Sequence, residues 1–261
     1  MIFETHAHYD DKAFEEDRHI CLTSLRQHQV DTVINVGASM ESSKVTLELC
    51  DAYDFIYGAL GVHPSETQDL TKADIDWLKE HLNHKKVVAL GEIGLDYYWD
   101  TPEREIQKKW FATQLNLAIE TNMPVIIHSR DAAADTLEML KVAVHQAKEK
   151  NQILSGVIHC FSYGPEMAKE FINLGFYLGI GGVITFKNAK KLKEVVEELP
   201  LEYMVIETDS PYLSPEPNRG KRNDSSNLTY VVNQIADIKK VTYDEVVEIT
   251  TRNAKKLYRL S

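Results

Sequence analysis

The chain has 261 residues, 43% hydrophobic and 26% charged, a globular composition that excludes a disordered, fibrous or membrane-embedded protein. Its 29 basic and 40 acidic side chains leave a formal charge of −11, too acidic for a protein that coats nucleic acid through bulk charge. An enzyme that cuts nucleic acid is not excluded, because a cation in the site can supply the missing positive charge. No apolar run reaches the ~18 residues of a membrane span. The start, MIFETHAHYDD, lacks the basic and apolar regions of a signal peptide, and three cysteines at wide spacing suit a reducing compartment. A cytoplasmic protein without membrane contact is therefore expected.

Short apolar runs recur at Ile2–Thr5, Thr32–Gly37, Phe55–Gly61, Val87–Gly91, Pro124–His128, Ser155–Cys160, Phe176–Gly181 and Met204–Glu207. They are rich in Val and Ile and often end in glycine, the character of buried parallel strands. Amphipathic stretches lie between them, and Arg104–Glu120, Asp131–Lys150 and Ala189–Leu199 read as surface helices with one apolar side. Strand followed by helix, eight times over, predicts an α/β fold of the closed (β/α)8 TIM-barrel type, and such barrels run to ~250 residues undivided. An open doubly wound sheet is the competitor, but no GxGxxG follows the first run. Without an internal repeat or a Gly/Ser/Pro-rich linker, residues 1–261 read as one domain. After the eighth run, Ser210–Ser226 carries three prolines and a basic cluster and reads as a long loop over one barrel end. Two helices, roughly Leu228–Lys240 and Tyr243–Tyr258, close the chain.

The histidines are placed unevenly. His6 and His8 stand two apart at the end of the first strand and so share a face. HxH alone is a weak signal, but other strand ends add to it: Glu92 after the fourth, His128 and His159 at the ends of the fifth and sixth, Asp209 after the eighth. The C-terminal strand ends of such a barrel form one rim, where polar residues read as catalytic. Each could instead be a core residue with one hydrogen bond, a reading that must then be repeated at every one of these strand ends. Barrel order places Asp209 beside His6 and His8, and Glu92 beside His128 and His159. Two adjacent divalent-cation sites follow, bridged by Glu92, since metal pairs that hydrolyse esters lie ~3.5–4 Å apart. Imidazole and carboxylate donors suit Zn, Fe, Mn or Ni, and Mg where waters complete the shell.

The motifs THAHYDD, GVHP (Gly61–Pro64), GEIGLDYY (Gly91–Tyr98), PVIIHSRDA, HCFSYG, GIGGVITFKNAKKL, ETDSPYL and PNRGKRN together resemble the TatD family of metal-dependent deoxyribonucleases, among the amidohydrolase-like barrels, over essentially the whole length. The family's metal ligands fall on His6, His8, Glu92, His128, His159 and Asp209. Tyr163 stands where the family pattern carries glycine, a change that should alter only a loop. Asn223–Asn227, NDSSN, replaces a glutamate and proline and should affect the rim of the substrate groove.

The resemblance implies hydrolysis of DNA phosphodiester bonds, with trimming from a 3′ end. Asp209 is then the general base, Glu92 the bridging ligand, and His63 a hydrogen-bond donor to the scissile phosphate or leaving oxygen, unless it only fills space against Pro64. Arg130, Arg219, Lys221 and Arg222 are candidate phosphate contacts, although a short charge run is as often a solvated surface. Tyr97, Tyr98 and Trp99 could stack unpaired bases or, more plainly, pack on a helix. Glu207 should face inward and orient a ligand histidine, and Cys160 should face the helices. A monomer acting on DNA strand ends is the favoured arrangement. The rival is an amidase, lactonase or phosphotriesterase using the same centre on a small molecule. A third reading, a metal-free binding protein, leaves six ligand-type residues unexplained.

Overall fold

The computed structural model describes residues 1–261. Strands β1 (Ile2–Ala7), β2 (Val30–Val36), β3 (Ile56–Leu60), β4 (Val87–Asp96), β5 (Val125–Arg130), β6 (Gly156–Ile158), β7 (Phe176–Ile180) and β8 (Met204–Ile206) pair in sequence order, all parallel. The seam between β8 and β1 is closed just beyond β8. There the Asp209 N–H donates to the His6 carbonyl at 2.9 Å and the His8 N–H to the Ser210 carbonyl at 2.8 Å. The fold is the TIM barrel that the strand–helix alternation predicts, and its closure runs through the segments carrying His6, His8 and Asp209.

The outer layer comprises α1 (Arg18–Ser24), α2 (Met40–Ala52), α3 (Lys72–His81), α4 (Arg104–Thr121), α5 (Ala133–Glu149), α6 (Pro165–Asn173), α7 (Lys190–Glu198), α8 (Leu228–Lys239) and α9 (Tyr243–Tyr258). Their starts are set locally. Ser39, Thr71 and Thr242 each cap a helix in a reciprocal box with the residue three further on. None of these helices is long and apolar enough to cross a membrane. Inside the barrel, Phe3, Ile34, Ala59, Ala89, Ile126, Val157 and Val205 pack with Ala254, Leu257 and Tyr258 of α9. The C-terminal helix thus plugs one barrel end, and the Tyr258 hydroxyl donates to the Thr5 carbonyl at 3.2 Å. The opposite end stays open for polar side chains.

Strand β4 departs from its sequence reading. It continues to Asp96 instead of stopping at Gly91, so Glu92 lies within a strand and not after one. The pairing steps from Leu90–Val125 to Ile93–Ile127, three residues on β4 against two on β5. That is a bulge, the device by which a strand re-aims side chains near a site. The local apolar run ends at Gly91, which hides the continuation in the sequence. Beyond the bulge, β4 is held close to β5 at Gly94, where φ is +150° and an added Cβ would lie 1.9 Å from the His128 carbonyl oxygen.

Gly94→Ala is therefore expected to be destabilised by about 3 kcal/mol or more, because both conformation and space are denied. Gly220→Ala, with φ +85° but no atom within 4 Å, should cost only about 1 kcal/mol. Denaturant unfolding of the two variants checks this; equal losses would remove the close approach as the cause.

Candidate metal centre

His6 and His8 stand at the end of β1 and meet Asp209 across the seam. His6 Nε2 and His8 Nε2 are 3.0 Å apart, and they lie 3.7 and 3.4 Å from Asp209 Oδ1. On the far side, His128 Nδ1 and His159 Nε2 are 3.2 Å apart. Glu92, 3% exposed, stands between the two groups. Its Oε2 is 3.4 Å from His6 Nε2 and 3.6 Å from His8 Nε2. Its Oε1 is 2.8 Å from His128 Nδ1 and 2.7 Å from His159 Nε2. The six residues singled out in the sequence are thus brought to one place. His6, His8 and Asp209 form one group that could hold a metal ion, and His63, Glu92 and His128 form another.

His8 and His128 are oriented from behind by hydrogen bonds. His8 Nδ1 lies 2.7 Å from the Val36 carbonyl, which accepts its proton and turns Nε2 toward Asp209. His128 turns its Nε2 to Asp96 Oδ2 at 3.1 Å and its Nδ1 inward. His159 Nδ1 has no hydrogen-bond partner and sits 3.8 Å from Glu207 Oε1. That oxygen also accepts the Cys160 N–H. Glu207 fits because β7 offers glycine beside it: a Cβ on Gly179 would lie 2.3 Å from Glu207 Oε2. His63 also faces the centre, with Nε2 3.8 Å from Glu92 Oε1, while its Nδ1 accepts the Ser65 N–H at 3.2 Å.

The electrostatics are those of one acid among many imidazoles. Burial alone would raise Glu92, but the His159 charge and hydrogen bonds from His128, His159 and His6 hold its carboxyl well below the usual range. Burial opposes charge on His8, yet the Asp209 hydrogen bond and the Glu92 charge push it to about 10. His159 rises to about 9 against burial, drawn by Glu92. His6 falls to about 4 through burial and the His159 charge, and His63 falls to about 3 through burial and the His128 charge. Behind the centre, burial lifts Glu4 to about 7 and Glu207 to about 8. Glu4 accepts the Thr208 N–H at 3.0 Å and its hydroxyl at 2.7 Å, tying β1 to the segment after β8.

A cavity of about 880 Å³ opens over these residues, and its rim includes Asp10, Asp11, Trp99, Arg130 and Tyr212. Arg130 is there as expected, stacked 3.9 Å above the Tyr98 ring. Tyr98 and Trp99 are 55% and 66% exposed, so helix packing does not explain them. Tyr97 does pack, under Arg104 and hydrogen-bonded to Asp135 at 2.6 Å.

The basic loop is a correction. Arg219, Lys221 and Arg222 do not line the cavity. Arg222 is spent on Asp17, with which it makes bidentate contacts of 2.7 and 2.6 Å, and Arg219 lies over Phe186. An acidic chain neutralises its surface cations locally, and the run RGKR carries no sign of Asp17, some 200 positions away. Cys160 departs from the strand pattern: it lies beyond the end of β6 with φ +46°, and the residue is partly exposed where a buried one was expected.

Tyr163 does more than alter a loop, since its hydroxyl donates to the Ser129 carbonyl at 2.9 Å and pins the residue beside His128. Asn223 is buried, and its amide bonds the Thr208 and Tyr212 carbonyls at 3.0 and 2.8 Å, so the NDSSN segment anchors the loop that follows Asp209. Sequence reasoning missed Asp96 and Glu4. The signal for Asp96 was period two, since it follows Glu92 and Gly94 along β4, whereas β1 is irregular between Glu4 and Ala7 and gave no such signal.

The family model described as TatD related DNase matches residues 3–259, and the chain belongs to that family. It is 44% identical over 261 residues to the uncharacterized metal-dependent hydrolase YabD of Bacillus subtilis (strain 168), covering all of both chains. Among solved structures it superimposes on the TatD homolog YjjV of Escherichia coli K12 with a TM-score of 0.92 and 30% identity, covering 100% of this chain and 98% of that one. A TatD family hydrolase from Entamoeba histolytica, at 23% identity, gives 0.88 and covers 100% and 99%. The chain is accordingly a metal-dependent hydrolase.

His8 and His159 hold protons at neutral pH without metal, and ligation needs both rings bare. Adding a divalent cation to stripped protein at pH 7 should release at least about two protons per molecule. The stability those two raised groups contribute is complete below about pH 6.5 and lost as pH rises through about 9 and 10. The gap in Tm between loaded and stripped protein should therefore widen from pH 6.5 to 9. Calorimetry in buffers of different ionisation enthalpy and melts across that range test both. Binding without proton release would contradict the assignment.

Proposed function

We propose that the chain, as a TatD-family metal-dependent hydrolase, cleaves phosphodiester bonds at DNA strand ends, removing nucleotides from the 3′ terminus with two divalent cations side by side. The observation that carries this reading is the division of Glu92: one carboxylate oxygen faces His6 and His8, the other His128 and His159. In this reading His6, His8 and Asp209 hold one cation, His128 and His159 the other, and Glu92 serves both. The donor set fits that role. His6 Nε2 and His8 Nε2 meet at 3.0 Å beside two carboxylates, a donor cluster that needs protons or cations between its members. Imidazole and carboxylate ligands accept Zn, Fe, Mn, Ni or Mg.

The bound cations supply polarisation of a phosphate oxygen and a lower pKa for water. The remaining work falls to side chains. Asp209 is the more solvent-facing carboxylate, 16% exposed against 4% for Glu92, and takes the proton of the attacking water. His63 accepts the Ser65 N–H at Nδ1, so its proton sits on Nε2 and is donated to the phosphate or the leaving oxygen. Arg130 offers the guanidinium that pairs with a phosphate, and the exposed Tyr98 and Trp99 offer faces for terminal bases.

A second reading, hydrolysis of a small ester or amide, is favoured by the rim charge. The cavity wall holds Asp10, Asp11, Glu66, Glu92, Asp96 and Asp209 against Arg130. A long polyanion gains little from such a wall, whereas a short strand end or a small substrate is tolerated.

Metal-loaded protein with single-stranded and duplex DNA labelled at either end should shorten the 3′ end, and Asp209→Asn and Glu92→Gln should each lose about 100-fold or more in rate. Equal cleavage by wild type and both variants would mean a contaminating nuclease. Cleavage of a small ester or amide with no action on DNA would select the second reading. Arg130→Ala should raise KM for DNA by about tenfold and flatten its salt dependence, while Arg222→Ala should leave both unchanged. An effect of Arg222→Ala as large as that of Arg130→Ala would return the basic loop to the substrate path.

A further inference from the structure

We propose that Asp96 is a positioning residue that fixes which nitrogen of His128 faces the metals and, through its other oxygen, couples metal occupancy to the Tyr98–Trp99 turn at the cavity rim. The inference rests on the reading that His128 faces a cation and not on the identity of the substrate.

Asp96 divides its carboxylate. Oδ2 lies 3.1 Å from His128 Nε2, and Oδ1 accepts the Tyr98 and Trp99 N–H groups at 2.9 and 3.0 Å. The group cannot swing to favour one task. It is 2% exposed, and Gln107 of α4 clamps its main chain from both sides. The Asp96 N–H donates to Gln107 Oε1 at 2.8 Å, and Gln107 Nε2 donates to the Asp96 carbonyl at 3.0 Å. The same amide reaches the Pro102 carbonyl at 2.8 Å, where the turn ends. Strand pairing sets Arg130 beside Asp96, and Arg130 stacks on Tyr98. One carboxylate thus joins a histidine of the centre to the groups that face incoming substrate.

The chemistry follows from the acceptor-only character of a carboxylate. Asp96 and Glu92 can only accept, so without metal His128 donates from both nitrogens, Nε2 to Asp96 and Nδ1 to Glu92, and Asp96 keeps Nε2 protonated when the Nδ1 proton leaves. If a cation displaced the Nδ1 proton to solvent and took its place, the Nε2 proton would become more acidic and its hydrogen bond to Oδ2 would strengthen. A pull on Oδ2 moves Oδ1, and with it the two backbone N–H groups of the turn. By reciprocity, a substrate that steadies the turn tightens the metal. A plain turn cap would need only Oδ1, and the contact to His128 would then be idle.

Asp96→Asn separates the two. Its amide oxygen still accepts the turn N–H groups, but its NH2 can only donate to His128 Nε2, which drives the imidazole proton to Nδ1. Stripped wild type and variant are titrated with Zn²⁺ against a chromophoric chelator, and both are labelled with 5-fluorotryptophan for 19F NMR. The chain has three tryptophans, and Trp99→Phe identifies the Trp99 resonance. In wild type the Trp99 resonance should shift on Zn²⁺ addition. In Asp96→Asn, Zn²⁺ affinity should fall about 10–100-fold, and at saturating Zn²⁺ the Trp99 resonance should stay at its metal-free position.

His128→Ala keeps the turn cap and should also abolish the Trp99 shift, which covers the case of an Asp96→Asn protein that does not fold. Wild-type affinity in Asp96→Asn would overturn the positioning role, and a Trp99 shift that survives in either variant would overturn the coupling. DNA enters neither readout, so these results are independent of any nuclease assay.

Discussion

Everything at the open end of the barrel is arranged around one buried carboxylate. Glu92 has an oxygen within 4 Å of a nitrogen of His6, His8, His63, His128 and His159. A buried charge is tolerated only when paired, and five imidazoles around one carboxylate give more partners than the charge requires. The surplus is what makes the cluster a receptor for cations: rings held face to face without enough protons to share repel one another. The stacked rings of His6 and His159, 4.0 Å between centroids, show how tightly the donors are compressed. Structural pairing alone would need one or two of these histidines.

The barrel supplies that compression from its backbone. Two hydrogen bonds at the seam hold Asp209 against His6 and His8, and the β4 bulge with Gly94 lets Glu92 and Asp96 both approach His128. Glycine recurs where a carboxylate must be accommodated, as Gly179 does for Glu207. Behind the histidines, Glu4 and Glu207 are lifted by burial toward their protonated forms. Carboxyls lifted in this way add polar contacts with less negative charge than two fully ionised groups would bring behind the histidines.

Strand and helix periodicity made the barrel legible in the sequence, and with it the rim. Once eight strand ends are known to share one face, His6, His8, His128, His159 and Asp209 assemble by topology alone. What stayed hidden was of two kinds. The extension of β4 was masked because Glu92 and Asp96 are polar and glycines, Gly91 and Gly94, break the apolar run, whereas a strand is recognised by apolar residues. The pairing of Arg222 with Asp17 was masked because it joins residues 205 apart, and nothing local marks which surface cation is already neutralised. Asn223 shows the same limit, since a polar NDSSN run reads as rim but serves as an anchor. Local pattern reveals elements and the residues at their ends; it does not reveal what long-range polar contacts consume.

That consumption bears on how a polyanion could approach a chain of net charge −11. With Arg222 committed to Asp17, the guanidinium facing the cavity is that of Arg130, on the β5 side. On the α2 side the surface continues past Asp10 and Asp11 to Glu15, Glu41 and Glu48, with Lys12 and Arg18 interspersed. Arg18 is itself occupied by the carbonyls of Tyr9 and Asp10. A phosphate chain leaving over that side would run along carboxylates within a Debye length, whereas one leaving over Arg130, Tyr98 and Trp99 meets a cation and two aromatic faces. The asymmetry gives a strand end one favourable direction of exit and penalises an internal segment, which must leave on both sides at once. On the proposed nuclease reading, a preference for termini would follow from the charge around the mouth, with no blocking loop required.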